Sequence, residues 1–169
     1  MQSFAPFLLS ATVHELGHLL ALRLCGAEIK VIRLRAFGTQ IVTAPIAYRK
    51  EIAVAAAGPL TNLILLILSA DKAPLLALVN LGLFGYNLLP IYPLDGGRIL
   101  RSILSMLFPE HIVHILEKTV GGLCVLTIGC MSWYLTCVWH AGLWPILAFG
   151  MLLMHVTETI LPEKIKFRV

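Results

Sequence analysis

The chain has 169 residues, of which 59% are hydrophobic and only 13% charged, with a formal net charge of +4. Soluble domains carry about 25% charged residues, so this composition cannot cover a water-exposed globule and excludes a soluble enzyme of ordinary type. It fits a polytopic, all-α membrane protein forming one domain over residues 1–169, with no room for a separate soluble domain.

A helical crossing needs about 20 mostly apolar residues, with a range of roughly 17–25. Five stretches meet or approach that length: Phe4–Leu24, Ile52–Ala70, Pro74–Leu89, about Val120–Val138 and Leu143 to about Leu161. The first lacks a basic region ahead of it and is expected to stay in the mature protein rather than act as a signal peptide. Between the first two, Lys30–Arg35 and Gln40–Thr43 alternate loosely around Gly38, which predicts a small β-hairpin. The third stretch is cut short by Pro90 and Pro93. Pro109–Lys118, with His111 and His114 one turn apart, is expected to be a short interfacial helix.

Lysine and arginine placement predicts orientation. With the N-terminus outside, Arg23, Lys30, Arg33, Arg35, Arg49, Lys50, Arg98, Arg101, Lys118, Lys164, Lys166 and Arg168 lie inside, and of the 13 basic residues Lys72 alone lies outside. That asymmetry predicts a multi-pass cell-membrane protein with its hairpin in the cytoplasm. Basic residues are not interleaved with stacking aromatics, so nucleic acid is not an expected partner. Trp133, Trp139 and Trp144 gather near the external end of the last two stretches, as an interfacial aromatic belt does. The four cysteines form no Cys-x-x-Cys pair, and three share one apolar segment, where they read as small apolar residues.

The chemistry sits in the first stretch, in His14-Glu15-Leu16-Gly17-His18. Two imidazoles four residues apart share one helix face and can bind one zinc ion, with Glu15 placed to act as a base on water. An acidic side chain at the centre of a spanning helix costs roughly 2.5–3.5 kcal/mol, and a divalent cation is a natural partner for it. A catalytic zinc takes three protein ligands. Asp95, in Asn87-Leu88-Leu89-Pro90-Ile91-Tyr92-Pro93-Leu94-Asp95-Gly96-Gly97, is the candidate third ligand, with a tight turn expected at the two glycines. Glu158 in the last stretch is the alternative, as in a prenyl-protein endopeptidase type of site. Asn62 and Asn87 are candidates for orienting substrate or a ligand, against simple helix–helix hydrogen bonding. A catalytically silent membrane adaptor or transporter-like protein with a vestigial zinc motif is the rival reading of the whole.

His-Glu-Leu-Gly-His, Ala57-Gly58-Pro59-x-x-Asn62 and the Asn87–Gly97 run together resemble the site-2 protease family of intramembrane zinc metalloproteases. The Asn87–Gly97 run most resembles the bacterial sporulation branch, which processes a membrane-associated precursor of a sigma factor. The resemblance implies zinc at His14, His18 and Asp95, catalysis by Glu15, and a transmembrane or membrane-associated protein substrate cut at or near the cytoplasmic face. It also implies membrane regulatory proteins as further partners. An exposed strand edge in the Lys30–Thr43 hairpin would hold an unwound substrate by strand addition; a basic loop anchored to lipid headgroups is the other reading of that stretch.

Overall fold

The structure is a computed structural model that describes residues 4–35 and 38–166. Its elements in chain order are α1 (Phe4–Leu24), β1 (Ile29–Arg35), β2 (Gly38–Thr43), α2 (Tyr48–Ser69), α3 (Pro74–Asn87), α4 (Asp95–Leu107), α5 (Glu110–Cys137) and α6 (Trp144–Lys166). The strands pair antiparallel, from Ile29 opposite Thr43 to Arg35 opposite Gly38, with a register shift between Ile29 and Val31.

What is buried and what is exposed are reversed relative to a soluble fold. Ser10, Asn62 and Asn80 are wholly buried, and His14, His18, Asp95 and Ser102 nearly so. Leu8, Leu20, Leu60, Ile67, Leu78, Leu126 and Trp133 are all more than half exposed. Such a surface is stable only against hydrocarbon, where buried polar groups can satisfy one another inside. Trp133, Trp139 and Trp144 stand exposed around the α5–α6 turn, consistent with an interfacial belt.

Among the described residues, α1, α2 and α5 are long and apolar enough to cross a bilayer, while Pro74–Asn87 and Trp144–Thr157 are shorter apolar helices. Of the five stretches expected to meet or approach that length, three do so on length and composition among the described residues. At 14 residues, α3 rises about 21 Å, against a hydrocarbon core of about 30 Å. Its brevity follows from Pro90 and Pro93, which cannot extend the helix.

Two further expectations are corrected. The interfacial helix expected over Pro109–Lys118 and the stretch beginning at Val120 form one continuous 28-residue helix, α5. Nothing in its interior breaks it: Gly121 and Gly122 cost helix propensity only. Ion pairs of Arg101 with Glu110 and Glu117 tie its first turns to α4. Nor does the chain make a tight turn after Asp95. Asp95-Gly96-Gly97 is the first turn of α4, and the glycines are needed for a different reason. A Cβ on Gly96 would collide with the backbone of Leu88 and Leu89, and one on Gly97 with that of Ile91 and Tyr92.

The segment between α3 and α4 is pinned rather than loose. Ile91 and Leu94 are buried against Leu152 of α6, with Leu89, Cys124, Val125, Ile128 and Phe149 packed around them. Helix α4 then turns an apolar side outward, with Ile103, Met106 and Leu107 exposed, while Asp95, Gly96, Gly97 and Ser102 face inward.

Candidate metal centre

Helix α1 brings His14 and His18 to one face, one turn apart, and α2 packs directly on that face. The approach depends on two glycines. A Cβ on Gly58 would fall on both imidazole Nε2 atoms, and one on Gly17 would meet the Thr61 side chain at 2.7 Å and the Ala57 carbonyl at 2.9 Å. Small residues at the crossing let the helix backbones come close enough for α2 to touch the histidines.

The α2 groups then fix how each ring presents itself. The Val54 carbonyl can only accept, so His18 Nδ1 donates to it, at 2.8 Å. His14 Nδ1 donates to Asn62 Oδ1. Both Nε2 atoms are thereby left with lone pairs, and these lone pairs face each other at 3.1 Å. Asp95 at the start of α4 completes the triangle: its Oδ2 lies 3.1 Å from His14 Nε2 and 3.2 Å from His18 Nε2. The other oxygen, Oδ1, accepts from Arg98 at 3.2 Å, and Arg98 in turn donates to Glu51 of α2 at 2.7 and 3.0 Å.

With both rings neutral, three lone-pair donors converge there, and a cation shared among them relieves their mutual repulsion. Their separations also suit one. Tetrahedral zinc with ligands at 2.0–2.1 Å spaces them about 3.3–3.4 Å apart, close to the distances here. Among the described residues His14, His18 and Asp95 form the group able to hold a metal ion, and the donor set fits zinc.

Glu15 is half-buried beside His14 on α1. Asn62 reaches the site through His14. Asn87 donates to the Leu83 carbonyl of its own helix at 3.0 Å. The Glu158 side chain lies outside the described residues. Four groups escaped the sequence reading: Glu51, Arg98, Asn80 and Ser10. Arg98 and Glu51 had a signal, since charged residues near an apolar bundle want partners. Asn80 and Ser10 had only their polarity within apolar stretches, which helix–helix contact explains equally well.

Residues 72–128 match the family model described as Peptidase family M50. A zinc metalloprotease of Methanocaldococcus jannaschii is 38% identical over 115 residues, covering 60% of this chain and 34% of the relative. Stage IV sporulation protein FB of Bacillus subtilis is 30% identical over 143 residues, covering 77% of this chain and 50% of the relative. The chain thus spans half or less of the length of these two relatives. Among solved structures, a site-2 protease from Methanocaldococcus jannaschii matches with a TM-score of 0.69 and 27% identity, covering 92% of this chain and 76% of that one. The histidine–aspartate triangle thus lies on a fold similar to that of a site-2 protease, in a chain that matches the M50 peptidase family over residues 72–128.

Proposed function

We propose that this protein is a zinc-dependent intramembrane endopeptidase that cleaves a membrane-associated protein at or near the cytoplasmic face. The observation that carries this reading is the convergence of His14, His18 and Asp95 with Glu15 one residue along from the first histidine. Zinc held there supplies Lewis-acid polarisation of the scissile carbonyl and a water acidic enough to ionise near neutral pH. Glu15 takes the proton of the attacking water and delivers it to the departing amine. Asn62 and the Val54 carbonyl hold the two imidazoles in the ligating tautomer, and Arg98 holds Asp95. Asn87, at the end of α3 just before the segment that presents Asp95, is assigned to substrate orientation.

The lysine and arginine distribution supports five crossings with the N-terminus outside, α3 and α6 crossing along with α1, α2 and α5, and the hairpin and metal centre toward the cytoplasm. A transmembrane substrate hides its carbonyls in its own helix and must unwind. An edge of the β1–β2 pair offers the extended backbone a hydrogen-bonding partner. The relative named for sporulation supports a regulatory substrate, such as a membrane-associated sigma-factor precursor.

The test is reconstitution in liposomes with a reporter whose single span is followed by a cytoplasmic tag. Zinc-loaded protein releases the tag, whereas Glu15→Gln and Asp95→Asn do not. Release by both variants at the unmodified rate overturns the reading.

A further inference from the structure

Behind His14 runs a chain of buried side-chain hydrogen bonds that the chemistry above does not use. Asn62 Nδ2 donates to Asn80 Oδ1 at 2.8 Å, and Asn80 Nδ2 donates to the Leu76 carbonyl at 2.8 Å and to Ser10 Oγ at 3.0 Å. Ser10 Oγ donates to the Pro6 carbonyl at 2.7 Å. Asn62 Nδ2 also lies 3.4 Å from the Ser10 carbonyl. Ser10, Asn62 and Asn80 are all 0% exposed, so no water competes for these groups.

The chain has a sense, and donor–acceptor accounting fixes it. Backbone carbonyls only accept. Leu76 O therefore demands the NH2 group of Asn80, and Pro6 O demands the hydroxyl hydrogen of Ser10, which leaves Ser10 Oγ to accept from the same NH2. With its NH2 so committed, Asn80 can offer Asn62 only an oxygen. Asn62 must answer with its own NH2, which turns its oxygen toward His14. An oxygen there admits only the Nδ1–H tautomer, the one that leaves Nε2 free to bind a cation. Flipping either amide would set donor against donor or acceptor against acceptor, in a setting where an unmade buried bond costs about 1–3 kcal/mol.

We infer that Asn80 is a positioning residue that sets the tautomer of His14 at two removes, with Asn62 as the intermediary and the Leu76 and Pro6 carbonyls as the fixed reference. This deepens the metal-centre reading and rests on it. Ser10 adds a second acceptor for Asn80 but is not essential to the sense of the chain, because Leu76 O alone fixes the Asn80 amide.

The experiment reads tautomers directly, by imidazole nitrogen NMR of the full chain in detergent micelles, zinc-free and at a pH where the rings are neutral. Zinc affinity is measured separately by chelator competition. Unmodified protein and Ser10→Ala show His14 in the Nδ1–H form alone. Asn80→Leu shows a mixture and binds zinc at least about 10-fold more weakly, the lower end of losses from such outer partners. Asn80→Asp, neutral when buried, keeps one acceptor and one donor and stays within about 3-fold. Where Asn80→Leu gives little folded protein, Asn80→Ala replaces it, since a water filling the gap has no fixed sense. A single Nδ1–H tautomer and unchanged zinc affinity in the Leu or Ala variant overturn the inference, as does equal weakening in the Asp variant. Failure of the unmodified protein to bind zinc overturns the metal reading instead, and the tautomer measurement still stands on its own.

Discussion

Arg98 holds Asp95 and Glu51 with one guanidinium, donating to Asp95 Oδ1 at 3.2 Å and twice to Glu51 Oε1, at 2.7 and 3.0 Å. Asp95 and Arg98 belong to α4 and Glu51 to α2, so the helix that presents Asp95 is tied to the helix that orients the two histidines. A planar fork suits this bridging task, and a lysine's single ammonium does not.

Replacing Arg98 by glutamine leaves Glu51 without its partner and frees Asp95 Oδ1. Zinc affinity should fall by about 10–100-fold, the usual range when a partner of a ligand is lost, and Arg98→Lys should recover only part of it. Chelator competition on purified protein measures both. Unchanged affinity in Arg98→Gln would show that the α4–α2 tie is irrelevant to the metal.

Glu15→Gln should bind zinc near-stoichiometrically and lose proteolysis by at least about 100-fold, within the contribution of a general acid–base group. Metal content and cleavage rate are read on the same preparation. Loss of the metal in this variant would make Glu15 a ligand instead of the base.

Gly58→Ala puts a methyl group onto both Nε2 atoms. Overpacking a close helix crossing costs about 1–3 kcal/mol, and here the displaced groups are the imidazoles of the triangle. The expected result is a lowered melting temperature together with loss of zinc. A variant that melts lower yet keeps its zinc affinity would show that the histidines can give way without leaving the metal.

A cysteine introduced at Gly38 should react with an impermeant maleimide only from the cytoplasmic side, and one at Asp71 only from outside, following the bias in lysine and arginine. The reverse labelling would invert the orientation.

For the hairpin, strand addition predicts that Arg33→Gln with Arg35→Gln leaves cleavage nearly intact. Proline at Leu34 or Ile41 removes a ladder donor, and at least one of the two should slow turnover with zinc still bound. Lipid anchoring predicts the opposite, because each arginine contributes about 1 kcal/mol of attraction to anionic lipid. Cleavage rates with and without anionic lipid distinguish the two, and equal tolerance of all four changes would exclude both.

The convergence of His14, His18 and Asp95 was legible in the sequence because its parts are constrained by chemistry: two histidines at helical spacing, and an aspartate after a proline-broken helix. The surroundings of Asp95 were less so. Gly96-Gly97 reads as a turn by local preference, yet close packing on the Leu88–Tyr92 backbone makes it the first turn of α4. The merging of two expected segments into α5 was hidden because polarity changes near Lys118 while helical propensity does not. The partners of Asn80 and Arg98 could not be read from the sequence, since they lie far off in the chain, on α1 and α2.

The wedge formed by Ile91, Leu94 and Leu152 also bears on biogenesis. Leu152 belongs to α6, which follows Asp95 in the chain with α4 and α5 in between. During synthesis the two histidines and their α2 supports are made early, whereas the segment that presents Asp95 finds its seat only after α6 has joined the bundle. The seat of Asp95 is thus completed only by α6, after the groups that orient both histidines have been made.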